Sequence, residues 1–248
     1  MVNTVEQLTD LDIPYAAQMS FNAVVQMTDA VGGVPVCLAD PIKDDYSGLD
    51  LPAGTSVISG TTALQFLRTR HGVGDGSDLS RISSQQVYLS SLVRRIQSDD
   101  TLTDFSKLYG LAEVAATNVR LSTSLTSLDT MVSMAQSMRT VDLSAMALVQ
   151  YPGTTEDSRY PGKVVPLEDE ADALFAAIAA DQPLVLDADA IGEGAQLDPT
   201  ATETPVPVDI AVPTDTAVPT ETNAGGATVG GLQGQLADQQ TCSVGFGN

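Results

Sequence analysis

From Asp181 onward the chain holds ten acidic residues and no basic one. Proline, threonine, alanine and glycine dominate this stretch, which includes the imperfect repeat AVPTDT/AVPTET at 211–222. Few large apolar side chains and strong like charge leave too little surface to bury against the entropy of ordering a chain. The composition therefore predicts a folded body, residues 1–182, and a disordered acidic tail, residues 183–248, that serves as an extended spacer or has no structural role. Nearly half of the net charge of −21 lies outside that body, and a hydrophobic content of 43% is enough to give the body a core. Such acidity argues against nucleic acid or an anionic membrane surface as a partner.

Against this background the cations are unevenly placed. Of eight arginines, Arg68, Arg70, Arg81, Arg94 and Arg95 fall within 28 residues. Thr61–Arg70 reads as a helix with Ala63, Leu64 and Leu67 on one apolar face. HGVGDGSD supplies a glycine-rich loop ending in a helix N-cap at Ser77 or Asp78. A second helix runs from Leu79 to about Gln97, with Ile82, Val87, Leu89, Leu92, Val93 and Ile96 as its apolar set. Arg81 and Gln85 are i, i+4 neighbours on it. Arg81 lies in the first turn, where the helix dipole favours an anion; Asp78 or a phosphate answers that need. Surface ion pairs in an acidic protein are the alternative reading of these arginines.

The rest of the body reads as alternating helices and strands. Met1–Thr9 looks like the end of a helix and Asp12–Phe21 alternates like a strand. Phe21–Val31 has helical spacing stopped by Gly32-Gly33, and Val34–Leu38 is a short strand. Asp40, Asp44 and Asp45 surround Lys43 in a segment that reads as a solvated loop, with a metal site as the alternative. Further helices are predicted over Asp100–Thr117, Leu128–Met138 and Ala171–Ala180, with a strand over Val141–Gln150. The methionines of 128–138 suit a core or an apolar groove. His71 follows the arginine pair and is a candidate either for proton transfer or for capping helix carbonyls.

Ala63, Leu64, Phe66, Arg68 and Arg70, then a loop, then Asp78, Arg81, Gln85 and Gln86, together resemble the LytR–CpsA–Psr family of cell-wall glycopolymer transferases, here of an actinobacterial-like type. The signature runs AL-x-[YF]-x-R-x-R, loop, D-x-x-R-x-x-[RK]-Q-Q, and FNAVVQMTDAVGGVPVCL resembles the element just upstream of it. Ser84 departs from the basic residue usual at its position. The match is closest over 12–97. The resemblance implies an α/β (α+β) fold with a mixed central β-sheet flanked by helices, here lacking the family's N-terminal strands.

It also implies phosphoryl transfer in cell-wall assembly outside the cytoplasm, moving a glycopolymer from a polyprenyl-pyrophosphate carrier to peptidoglycan, with membrane contact through the lipid substrate. A truncated, non-catalytic module that binds the lipid or the polymer without turnover is the alternative. Arg68, Arg70 and Arg81 are the expected catalytic residues, binding pyrophosphate together with Gln85, while Asp78 orients an arginine. Arginine forks suit paired phosphate oxygens better than lysine does. Mg2+ is the implied cofactor, but the acidic segments that hold it in the family have no counterpart here. This leads to the expectation of a partial domain with open strand edges and little magnesium-dependent turnover. Cys37 and Cys242 are a possible disulfide in an exported protein, or two separate thiols.

Overall fold

A computed structural model describes residues 1–97, 117–125, 137, 141–182, 184, 186, 190–201 and 231–247. The chain opens with α1 (Val2–Thr9), β1 (Ala17–Met19), α2 (Phe21–Ala30) and β2 (Val34–Leu38). Two hairpin-like strands, β3 (Ile42–Asp44) and β4 (Leu49–Leu51), precede β5 (Gly54–Ile58), α3 (Gly60–Arg68) and α4 (Asp78–Gln97). Then come β6 (Val119–Leu121), β7 (Ala147–Val149), β8 (Gly153–Thr154), β9 (Val165–Pro166) and α5 (Glu168–Ala179). Three strands end it: β10 (Ala195–Leu197), β11 (Gly234–Leu236) and β12 (Thr241–Ser243).

The largest sheet has four strands in the order β10-β12-β2-β5. It is mixed, because β12 runs parallel to β2 while the other pairs are antiparallel. Val34, Val36 and Leu38 alternate inward from β2 and meet Ile42, Leu49, Ile58, Ala63, Phe66 and Tyr88 in the main core. Tyr88 brings a hydroxyl into that core, and Thr28 satisfies it across 2.7 Å. The mixed α+β architecture is the one expected.

Local chemistry shortens two strands. Ser20 accepts a hydrogen bond from the Ala23 N–H and starts α2 there, so the extended run 12–21 keeps only Ala17–Met19 as β1. Asp142 likewise caps a 3-10 turn at Leu143–Ala145, leaving Ala147–Val149 of the predicted strand 141–150. Each strand predicted to lack a partner has at least one: β2 lies between β12 and β5, whereas β1 pairs with β6 and β7 with β11 on one edge only among the described residues. Nearly all of the helices expected over 100–117 and 128–138 lies outside the described residues.

The tail is the main correction. Residues 190–201 and 231–247 belong to the folded body, and β12 sits inside the central sheet. The Pro/Thr repeat at 211–222 lies outside the described residues. The contact surface for these strands is α4, whose buried positions include Ser80, Ser83, Ser84, Ser90 and Ser91, whereas Leu89 is exposed. Serines let backbone approach closely. A β-carbon on Gly194 would press on the Ser80 carbonyl oxygen, and the Ser84 hydroxyl donates to the Gly194 carbonyl at 3.4 Å. Gln235 donates to the Gln86 carbonyl and the Ser90 hydroxyl, and accepts from Thr241. Small and amide-bearing side chains thus build an interface that an apolar count overlooks. Cys37 and Cys242 are paired in register on neighbouring strands and form a disulfide across 205 residues of sequence, with 4.4 Å between their α-carbons.

Candidate active site

The site is built where α3 ends and α4 begins. Phe66 and Ala63 anchor α3 in the core, which leaves Arg68 in its exposed last turn. The Arg68 guanidinium lies over the Phe21 ring, 5.1 Å from its centroid. After Thr69 the backbone turns extended, and Asp44 holds that exit. One oxygen of Asp44 accepts from the Thr69 hydroxyl at 2.7 Å and the Arg70 N–H at 3.3 Å; the other accepts from the Tyr46 N–H at 2.9 Å. Burial raises the Asp44 carboxyl's pKa, but these hydrogen bonds together hold it below the ordinary carboxylate value.

The sequence offers Asp44 only as one acid of a solvated loop or metal site, not as a support for the arginine helix, and does not single out Thr69. Their signal was present: Asp44 shares the inward parity of Ile42 in β3, and Thr69 stands between two arginines at a helix exit. His71 lies against the Tyr46 ring, with centroids 4.6 Å apart.

The loop that follows is closed by its own polar groups. Asp75 accepts from the Ser77 N–H at 2.8 Å and the Ser80 hydroxyl at 2.6 Å, and Ser77 caps α4 by accepting from the Ser80 N–H at 3.2 Å. Desolvation raises the Asp75 pKa, and its serine hydrogen bonds lower it further than that. On the first turn of α4, Asp78 Oδ1 lies 3.3 Å from Arg70 Nε and 3.5 Å from Arg81 Nη2. Arg70 Nε also donates to the Gly76 carbonyl at 3.0 Å. Arg81 Nε is buried and lacks a hydrogen-bond partner among the described residues.

The structure therefore joins Arg70, Asp78 and Arg81 in one ion-paired group. Arg68 takes a different neighbour, Phe21. Gln85 is spent elsewhere: its side-chain N–H donates to the Leu67 carbonyl at 2.8 Å, tying α4 to α3. Arg94 and Arg95 face other parts of the fold. Arg94 donates to the carbonyls of Ala237 and Gln239 and to the Ser91 hydroxyl, and Arg95 donates to the Val31 carbonyl. Burial lowers the pKa of Arg94, while the charge of Asp238 acts the other way.

A magnesium ion requires several oxygen ligands in near-octahedral array. Asp44 is committed to Thr69 and backbone N–H groups, Asp75 to two serines, and Asp78 to two arginines. The close trio Cys37, Asp198 and Cys242 has its sulfurs locked in the disulfide. Among the described residues, no group of three or more acidic side chains converges beside the arginines to hold an ion.

The model of the LytR_cpsA_psr family matches residues 1–177. The chain belongs to this family. Cell wall biosynthesis protein LcpA of Corynebacterium glutamicum is 39% identical over 119 residues, which are 48% of this chain and 23% of that protein. Bacillus subtilis TagT, named polyisoprenyl-teichoic acid–peptidoglycan teichoic acid transferase, is 27% identical over 130 residues, 50% of this chain and 38% of that protein. The chain thus matches well under half the length of either relative. The solved LytR-Csp2A-Psr enzyme from Actinomyces oris has the same fold, with a TM-score of 0.50 and 23% identity over 65% of this chain and 62% of that one. Among the described residues of this LytR_cpsA_psr member, no helix is long and apolar enough to cross a membrane.

Proposed function

We propose that Arg70 and Arg81 bind the pyrophosphate of a polyprenyl-pyrophosphate-linked glycopolymer, and that the chain acts in transferring this polymer to peptidoglycan in the cell envelope. One observation carries the reading: two guanidiniums share a single carboxylate at the N-terminus of α4, and a buried Nε of Arg81 has no partner among the described residues. That leaves excess positive charge where a helix terminus already favours an anion. The names of the Corynebacterium and Bacillus relatives support a cell-wall polymer as the substrate class.

In the transfer, a sugar hydroxyl of peptidoglycan attacks the phosphorus that carries the glycopolymer. Its oxygen forms the new P–O bond, the bond to the bridging oxygen breaks, and polyprenyl phosphate departs with the electron pair. The hydroxyl proton passes to a base or to the departing phosphate. This chemistry asks for positioning and charge rather than a covalent intermediate. Arg70 and Arg81 suit the equatorial and departing oxygens, and Asp78 keeps the two guanidiniums from splaying apart.

A second reading, binding without turnover, is favoured by one specific observation: the carboxylates nearest the arginines are all engaged with protein groups. Both readings predict tight binding of a polyprenyl pyrophosphate by the 248-residue chain. Magnesium-dependent release of polyprenyl phosphate separates them. Binding that is unchanged by Arg70→Ala and Arg81→Ala together would remove both.

A further inference from the structure

Residues 244–247 run along the glycine-rich loop that joins Arg70 to the start of α4. Gly245 bridges Val73 in antiparallel register. The Gly74 N–H donates to the Val244 carbonyl at 3.0 Å, the Phe246 N–H to the Gly72 carbonyl at 3.0 Å, and the Gly247 N–H to the Gly74 carbonyl at 3.4 Å. The Val244 N–H reaches the other way, to the Gly194 carbonyl at 3.1 Å. Beyond the strand pairing, the Phe246 ring covers Gly76: a β-carbon on that glycine would stand 3.0 Å from the ring. Gly76 has φ of +78°, a left-handed conformation that suits glycine, and its carbonyl accepts the Arg70 Nε.

We infer that residues 244–247 are a positioning strap for the anion site, with Phe246 setting Gly76 and, through the Gly76 carbonyl, the Arg70 guanidinium. The inference rests on the reading of Arg70 and Arg81 as a pyrophosphate site. The strap offers no ionisable side chain of its own, so it cannot add affinity by charge. Phe246 remains 59% exposed, so its ring is not held there by burial in the core. What the ring does is limit the travel of Gly76. Without it the Gly76 carbonyl can rotate away, and Arg70 is left with only the shared Asp78 oxygen. The four backbone hydrogen bonds fix the strap whatever residue stands at 246, which separates the role of the ring from that of the strand.

The test uses the full chain and inorganic pyrophosphate, with affinity read by calorimetry. Phe246→Ala is expected to raise Kd about fivefold, somewhat below the loss for removing a charge-assisted contact outright. Phe246→Leu, which keeps bulk over Gly76, is expected to recover most of that loss. In an Arg70→Ala background the Phe246→Ala effect should vanish, since coupled residues are not additive. An equal loss in both backgrounds, or no loss in either, overturns the inference. Should the parent chain fail to bind pyrophosphate, the functional reading fails instead. Amide exchange then decides the strap: deleting 244–248 is expected to release the Gly74 and Gly76 amides while Val36 and Tyr88 stay protected. Unchanged exchange at the two glycines overturns it.

Discussion

Gln85 donates its side-chain N–H to the Leu67 carbonyl, 18 residues earlier, at 2.8 Å. The bond ties the first half of α4 to the last turn of α3, and so fixes the separation of the two helices that carry the arginines. Gln85 was expected to touch the substrate directly. The geometry instead predicts an indirect effect: Gln85→Ala should lower the melting temperature, by about 1 kcal/mol of stability for one neutral hydrogen bond. Pyrophosphate affinity should fall only a few-fold. A loss of affinity as large as that of Arg70→Ala, with no change in melting, would return Gln85 to the ligand.

Three of the five clustered arginines should divide into two groups. Arg70→Ala and Arg81→Ala should each weaken pyrophosphate binding by about 1.5–3 kcal/mol, the scale of a hydrogen bond to a charged group. Arg94→Ala should barely alter affinity but should lower stability, because it strips donors from the Ala237 and Gln239 carbonyls. Titration and thermal melting of the three variants separate the groups. Equal affinity losses in all three would reduce the site to bulk charge.

Asp44 predicts an acid limb in stability. Its folded pKa is depressed, so it favours the folded state above the unfolded value, which lies near 3.8, and this contribution is lost as pH falls through the folded value. Melting temperature should therefore decline below about pH 4, and Asp44→Asn should flatten that decline while lowering stability at neutral pH. An acid limb identical in the parent and the variant would show that other carboxylates set it.

Removing everything after Gln182 should unfold the body, contrary to the independence that its composition implies. The cut takes away β10, β11 and β12 and bares the serine face of α4. Circular dichroism of the truncated chain checks this; a melting temperature equal to that of the parent would restore the spacer reading. Opening the Cys37–Cys242 bridge alone should cost less, at most about 5 kcal/mol from loop entropy alone.

Gly194→Ala tests the close approach of backbone to α4. The added methyl group would press on the carbonyl of Ser80 rather than on a flexible side-chain tip, so helix or strand must shift. We expect destabilisation of about 1–3 kcal/mol, as for overpacking in a core. A neutral change in denaturant midpoint would mean the two elements are not in firm contact.

The readable parts of this chain were those whose physics is local. Gly32-Gly33 marked the end of α2, alternation in Val34–Leu38 marked β2, and the apolar spacing within 61–70 and 79–97 marked the two helices that meet at the site. What escaped depends on partners distant in sequence. A buried face made of Ser80, Ser83, Ser84 and Ser90 carries no apolar period, and its reason appears only when Gly194 and Gln235 pack on it. Cys242 and Ser243 look like part of a polar tail until β2 supplies the other half of their ladder. Asp44 looks like one acid among several, until the threonine and backbone N–H groups that surround it are in view.

The placement of β12 between β10 and β2 has a consequence for how the chain is made. A strand contributed by residues 241–243 completes a sheet begun by residues 34–38, so the ladder cannot close until the 205-residue span from Cys37 to Cys242 has been made. Such long-range closure is slow relative to forming local helices and hairpins. During synthesis, the edge of β2 and the serine face of α4 are therefore bare, and the nascent protein passes through a stage in which its sheet edge needs shielding from other chains. The sheet is finished only when residues 241–243 arrive.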